Sequence, residues 1–383
     1  MKMTYFIKEL RKIPDPRQSG KVKHSLADIL LICILAITAG ANSSGTIHLF
    51  AEHRLKWLQQ FIELKHGVPG RLTIERLLKR MNAKAFKPVF EDIMKRIQGK
   101  TGGAIIAIDG KSCYTPGNQQ GAAGMITMVS AWCSLNGLVL GQVETGEKKS
   151  EIKAIPELLK LLDIEGATVT MDAMGCQKEI VRQIVQKNKA NYVVALKKNH
   201  QVFWEEATLY AAYCLSEPLM AQEYTRFSQM EKGHGRIEKR TYTLFHDLSW
   251  FEDRHLWEGI QSLVMVEAHV TRMSGGRVLS SSCETRFYIS NLLDLHEAAR
   301  AIRSHWGVEN SLHWVLDVVL KEDGWATKSD RSAAFLSVLR RLTANLLKAE
   351  TESGLSGPKK RFLCSMDLDF LEKVVFHSPL FVK

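Results

Sequence analysis

Apolar positions in the first 97 residues recur at helical spacing. Leu26, Ile29, Leu30, Cys33 and Ile37 form one such face, and Ile47, Phe50, Leu55, Leu58 and Phe61 form another. The spacing predicts a third helix beginning near Thr73, a suitable N-cap, with Leu77, Leu78 and Met81 inside and Arg76, Lys79 and Arg80 on the outer face. A fourth stretch, Ala85 to Ile97, turns Phe86, Phe90, Ile93 and Met94 inward. The most apolar run, Ile29 to Ala39, falls well short of the roughly 20 residues a membrane-spanning helix needs and reads as a buried helix.

After Gln98-Gly99-Lys100-Thr101-Gly102-Gly103, a linker by composition, the period changes. Ala104 to Ile108 is a continuous apolar run, as in a strand covered on both faces, and it ends in Asp109-Gly110-Lys111. Ile126 to Leu135 and Leu138 to Thr145 flank Asn136-Gly137, a strong hairpin signal. An amphipathic helix, Glu151 to Leu162, precedes a second apolar strand, Ala167 to Met171, which ends in Asp172. A helix near Gln177 to Lys187 then leads into the strand Tyr192 to Leu196. Three strands in a meander followed by strands alternating with helices predict an α/β fold, the mixed sheet of a ribonuclease-H-like domain flanked by helices. A doubly wound nucleotide-binding fold competes, but no glycine-rich phosphate loop follows the first strand.

From Glu223 to Ser290 the texture is β again, with Arg240 to Phe245, Ser262 to Arg272 and Arg286 to Ile289 as strands and Gly275-Gly276 as a turn. The pattern then predicts one long helix from Glu297 to about Leu320 and another from Ser332 to Lys348. The expected partition is a basic helical domain (1–98), a first part of the α/β core (104–222), a β-rich insertion (223–290), a helical part completing the core (291–350) and a tail (351–383).

Charge adds a direction. The chain carries a net +11, and its first 100 residues alone hold 19 Lys and Arg against 8 Asp and Glu. The whole excess therefore sits at the N-terminus, the footprint expected for a polyanionic partner such as double-stranded DNA. A solvated basic surface kept for solubility is the bland alternative, and a helix-turn-helix within the basic bundle is only weakly signalled. The seven cysteines are scattered, with no C-x-x-C pair and no zinc-finger spacing, which argues for reduced thiols in a cytoplasmic protein.

Asp109 and Asp172 each close an apolar strand. If those strands are neighbours, both carboxylates emerge at the carboxyl edge of the sheet, where open α/β sheets place their sites. Oxygen donors on rigid strands suit a hard ion such as Mg²⁺, and two such ions clamp the attacking and leaving oxygens of a phosphoryl displacement. One strand-end Asp is more often a turn residue; a pair followed by a helical acid is less easily dismissed. The third acid is expected on the predicted helix, where His305, Glu309, His313 and Asp317 form one polar stripe opposite Val308, Leu312, Val315 and Val319. Zinc is the rival ion, but the H-E-x-x-H spacing is absent.

The runs Ala107-Ile108-Asp109-Gly110-Lys111, Thr170-Met171-Asp172-Ala173-Met174-Gly175-Cys176-Gln177 and His305-Trp306-Gly307-Val308-Glu309-Asn310 resemble the H-repeat-associated, Rhs-linked transposases of bacterial insertion sequences, within the DDE superfamily. Ile13-Pro14-Asp15-Pro16-Arg17 with His24-Ser25-Leu26 resembles the helical region preceding their catalytic domain, and the likeness runs from about residue 10 to residue 350. The resemblance implies Asp109, Asp172 and Glu309 as a metal triad holding Mg²⁺, with Mn²⁺ as substitute. It further implies hydrolysis at the element's inverted-repeat ends, strand transfer to target DNA, and action as a homodimer on DNA. One departure stands out. Related transposases often carry Y-x2-R-x3-E-x6-K around the Glu; here those positions are Ile302, His305, Glu309 and Leu316, so Arg303 or Lys321 is left to supply the charge, and Asp317 and Glu322 stay as alternative ligands.

The candidate DNA contacts are Arg76, Lys79 and Arg80 in the bundle, Lys111 beside Asp109, Lys197 and Lys198 after a strand on the active-site edge, Arg236 and Arg240 in the insertion, and Arg303, His305 and Trp306 before Glu309. Trp306 is by default a core residue and otherwise a stacking platform for a flipped base. A DNA-binding relative without catalysis and a structure-selective nuclease on the same fold are the competing functions.

Overall fold

The computed structural model describes residues 4–18, 20, 22–98, 103–115, 124–145, 151–233, 235–274, 277–324 and 330–381. The Gly275-Gly276 turn and most of the 98–103 linker lie outside them. Nine strands among the described residues form one mixed sheet in the order β3-β2-β1-β4-β5-β9-β8-β7-β6. They are β1 (Ile105–Thr115), β2 (Gly124–Cys133), β3 (Val139–Thr145), β4 (Thr168–Met171), β5 (Asn191–Leu196), β6 (Tyr224–Gly233), β7 (Arg236–Phe245), β8 (Ser262–Ser274) and β9 (Arg277–Ser290). The first five, in the order 3-2-1-4-5, make the ribonuclease-H-like mixed sheet that the pattern predicts. β1 runs parallel to β4, with Ile108 opposite Met171, and β4 runs parallel to β5, with Met171 opposite Val194. β2 and β3 form the expected antiparallel hairpin, in which Gly137 takes the positive φ of 71° that the turn requires.

Residues 223–290 are not a separate β module. β9 pairs antiparallel with β5, Val194 lying opposite Ile289, so the four later strands extend the same sheet. The parts nearest β5 are apolar and buried; the far parts, including nearly all of β6, are exposed.

The chain divides into two compact units, residues 101–109 with 164–307 and residues 1–100 with 110–163 and 308–383. In the first of these, the sheet is covered by α10 (Leu295–His305). Leu295, Ala298, Ala299, Ala301 and Ile302 of that helix pack on Ile105, Val193, Tyr242, Leu244, Val264 and Val266. Asp294 starts the helix earlier than the periodicity suggests, its carboxylate accepting from the Glu297 amide at 2.8 Å.

The other unit is built around α11 (Asp330–Ala349), which packs against α2 (Leu26–Thr38), α5 (Arg71–Arg80), α6 (Ala83–Gln98), β2 and β3. Every residue of α2 except Asp28 is buried. The last helices, α12 (Gly357–Met366) and α13 (Leu368–Phe376), pack here too: Phe376 stacks on Phe61 at 4.5 Å, and Arg361 donates to the Ile37 carbonyl. The N-terminal helices therefore share a core with the C-terminal ones, unlike the linear partition, and residues 351–383 are part of that core. α5 begins at Arg71, with Gly70 rather than Thr73 at its N-cap.

The predicted helix from Glu297 to Leu320 is interrupted. α10 ends at His305, and Val308–His313 and Val315–Val319 are wound as π-helix, a rare form that often marks functional sites. Gly307 weakens helical continuity at the break. Val308, Leu312, Leu316 and Val319 are the buried positions; Leu316 takes the place expected for Val315.

Candidate active site

Asp109 follows Ile108 and Asp172 follows Met171, and those two predecessors lie opposite one another on neighbouring parallel strands. The two acids are therefore neighbours across the β1–β4 pair, at the point where β4 ends, on strands about 4.8 Å apart. Asp109 sits within the long β1 and is half-buried, whereas Asp172 is exposed at the end of β4.

Local chemistry explains the sequence after Asp172. Its Oδ1 accepts from the Met174 amide at 3.0 Å and the Gly175 amide at 3.4 Å, holding a single 3₁₀ turn, Ala173–Gly175. Gly175 passes so close to the strand that an added Cβ would lie 2.8 Å from the Met171 Cβ. The loop after β5 is tied to this turn: Asn199 Nδ2 donates to the Ala173 carbonyl at 2.8 Å, and His200 Nε2 lies 2.6 Å from the Cys176 carbonyl. Lys197 and Lys198 on that loop are exposed, with Lys198 Nζ 5.1 Å from the Trp204 ring centroid.

α10 delivers His305 to the same strand. Its Nδ1 lies 3.0 Å from Thr170 Oγ1, so the imidazole is engaged with β4 rather than offered to DNA. Burial pushes its pKa below the ordinary imidazole value, while the Asp172 charge pulls the other way. Arg303 bonds Glu231 at 2.9 Å; Arg240 lies 3.3 Å from the same carboxylate and 2.5 Å from Glu238. These arginines neutralise glutamates of β6 and β7. Arg236 is exposed and only loosely paired, 4.0 Å from Glu238. Trp306 is not core: it is 38% exposed, with the Arg286 guanidinium 5.0 Å from its ring centroid.

In the other unit, Glu309 is exposed on the first π-wound stretch. Asp317 and Glu322, its alternatives as ligand, are otherwise engaged. Asp317 Oδ1 lies 2.8 Å from Lys111 Nζ, and Lys111 is buried, so this lysine is not presented to phosphate. Glu322 is fully buried, accepting from Ser337 Oγ at 2.6 Å and Arg341 Nη1 at 3.0 Å. Burial pushes its pKa up, but Arg341, Arg340, Ser337 and Lys111 more than offset that and hold the carboxyl below its ordinary value. Arg341 in turn donates from Nε to Ser130 Oγ on β2 at 3.0 Å. The sequence carries one hint of this network, the adjacent Arg340 and Arg341 in the middle of the largely apolar face of α11. On α5, Ile74, Leu77 and Leu78 are buried, and Arg76, Lys79 and Arg80 are exposed as the spacing predicts.

The structure thus brings Asp109 and Asp172 together. Among the described residues no three His, Cys, Asp or Glu side chains converge as a ready metal cage. The Asp109–Asp172 pair is nonetheless an oxygen-donor set suited to a hard divalent ion. Among those residues, too, no helix is long and apolar enough to cross a membrane.

The family model for the transposase DDE domain matches residues 100–346, and a model for the domain associated with it matches residues 7–94. Among curated proteins, the chain is 36% identical over 371 residues to "Putative transposase YncI" of Escherichia coli O157:H7, spanning 95% of this chain and 92% of that protein. It is 33% identical over 386 residues to "H repeat-associated putative transposase YhhI" of Escherichia coli K12, spanning 99% of this chain and all of that protein. A shorter protein of the same strain, "Inactive transposase YbfQ", is 35% identical over 80 residues, 21% of this chain.

Proposed function

The chain belongs to the DDE transposase family, and from that premise we propose that it cuts DNA at the ends of its insertion sequence and joins the freed strands to target DNA. The observation carrying this reading is the placement of Asp109 and Asp172 at neighbouring register positions of the adjacent parallel strands β1 and β4. Members of this family generally work with a divalent metal. In this reading Asp109, Asp172 and Glu309 hold Mg²⁺, or Mn²⁺ in its place. When bound, the ions supply Lewis-acid stabilisation of the charge that builds on the attacking and leaving oxygens.

The chain's own contribution is placement. β1 and β4 fix two carboxylates on a rigid edge, the Met174 amide holds Asp172 in one orientation, and the Thr170–His305 bond ties the end of α10 to β4. Hydrolysis breaks one phosphodiester bond and leaves a 3′-hydroxyl. In strand transfer that hydroxyl's oxygen bonds to a target phosphorus, and the target's own 3′-oxygen leaves. The exposed cations suited to hold duplex DNA are Arg76, Lys79 and Arg80 on α5, Lys197 and Lys198 beside the strand ends, and Arg236. Pairing of two element ends by two copies of the chain belongs to the same reading.

The test is cleavage of a labelled fragment carrying the element's inverted repeat, with Mg²⁺ or Mn²⁺. Native protein cuts at the repeat tip and, given pre-nicked ends, forms joined products. Asp109→Asn, Asp172→Asn and Glu309→Gln abolish cutting while binding persists. Cutting without joining points to a nuclease, and binding without cutting by the native chain overturns the proposal.

A further inference from the structure

Lys111 stands on β1 two residues after Asp109, so both side chains leave the same face of the strand. Its ammonium is buried, 2.8 Å from Asp317 Oδ1 and 3.9 Å from Glu322 Oε2. A buried ammonium is costly unless paired, so this lysine is committed to those acids. Asp317 lies on the second π-wound stretch, on the same helical segment as Glu309 and further along it. π-winding departs from the regular ladder that makes an α-helix self-supporting, so such a segment depends on contacts from outside. Two are visible. Lys111 holds Asp317, and the Arg361 guanidinium donates to the Val319 carbonyl at the segment's end.

We propose that the Lys111–Asp317 ion pair is a positioning device for Glu309, fastening the π-wound segment that carries this carboxylate to β1 at Lys111. The inference rests on the reading of Glu309 as a metal ligand. Neither Lys111 nor Asp317 touches the metal in this account; both act through the placement of Glu309, as outer partners of ligands do in metal sites generally.

The test is a double-mutant cycle read by Mn²⁺ binding in calorimetry on the full chain, with DNA cutting as a second readout. Asp317→Asn and Lys111→Met each weaken Mn²⁺ binding by about 10- to 100-fold, the usual effect of losing an outer partner. Lys111→Arg, which keeps the pair, restores most of it. In a Glu309→Gln background the same substitutions add almost nothing, because their effect passes through Glu309. The double variant Lys111→Met/Asp317→Asn removes both charges and regains stability but not Mn²⁺ affinity. A purely structural pair predicts that Mn²⁺ binding returns together with stability, and normal Mn²⁺ binding by the stable double variant overturns the proposal. Additive losses with Glu309→Gln overturn it as well. Loss of Mn²⁺ binding in Asp317→Asn but not in Lys111→Met makes Asp317 itself the ligand. If the native chain binds no Mn²⁺, the metal reading of Glu309 fails first and this inference falls with it.

Discussion

Glu322→Gln removes the carboxylate that faces Arg341 across a buried contact. The carboxylate accepts from Arg341 Nη1 at 3.0 Å and Ser337 Oγ at 2.6 Å, and neither Glu322 nor Arg341 reaches solvent. The amide fills the same space but leaves the guanidinium charge uncompensated. Breaking a buried pair from one side costs about 3–5 kcal/mol, because a charge stays in a medium that solvates it poorly. At roughly 2 °C or more per kcal/mol, the transition of this unit should fall by at least about 6 °C. Calorimetric melting of the full chain measures it. The companion variant Glu322→Gln/Arg341→Met removes both charges and should recover much of the loss, since hydrophobic replacement of a buried pair is often neutral. A drop below about 1 kcal/mol in the single variant, or no recovery in the double, refutes the reasoning. The increment in melting temperature on adding Mn²⁺ should stay unchanged in Glu322→Gln; its disappearance would make Glu322 a ligand.

Three further outcomes follow from the geometry. Gly175→Ala forces a Cβ to within 2.8 Å of the Met171 Cβ, so the turn capped by Asp172 must move; a stability loss of about 1–3 kcal/mol and reduced cutting are expected, checked by melting and by the cleavage assay. Glu350 accepts from the Ser353 amide and hydroxyl and lies near Lys360 and Lys373; although burial raises its pKa, these partners pull it from 4.5 to about 2. Its folded value is depressed, so its stabilising contribution is present above pH 4.5 and is lost as pH falls towards 2. Denaturant titrations of Glu350→Gln should show the native chain's advantage shrinking across that window. Arg76→Ala/Arg80→Ala should lower the slope of log affinity against log salt by about 2, one phosphate contact per arginine; an unchanged slope removes α5 from the DNA interface.

The parts of the fold written as uninterrupted chemistry were legible in the sequence. Ile105 to Ile108 are apolar on both faces because that strand is buried on both; β4 is equally buried, with Val169 and Met171 on one face and Thr170 on the other, and an acid follows each run. The hairpin at Gly137 and the buried α2 were equally plain. β6 was not: its ten residues include Thr225, Arg226, Ser228, Gln229, Glu231 and Lys232, and with so much of it exposed it carries no alternation to detect. Nor does periodicity reveal that β9 would pair with β5, since the partner of a strand is chosen by tertiary packing. The π-winding after Gly307 moves the buried position from Val315 to Leu316, a shift that a pattern read with the α-helical period does not show. Among the basic residues, type alone could not separate those paired internally, Lys111, Arg240 and Arg303, from those left in solvent, Arg76, Arg80 and Lys197; that difference depends on which acids the fold brings across.

In the proposed reading the neighbouring carboxylates of β1 and β4 hold the metal that cuts DNA, and Asp172→Cys tests this most directly. A thiolate binds Mg²⁺ poorly and softer ions better. The account predicts that this variant fails to cut the labelled inverted-repeat fragment in Mg²⁺ and regains cutting when Mn²⁺ or Cd²⁺ is supplied, while Asp172→Ala regains none. Native-like cutting by Asp172→Cys in Mg²⁺, or equal rescue of Asp172→Ala, would contradict it.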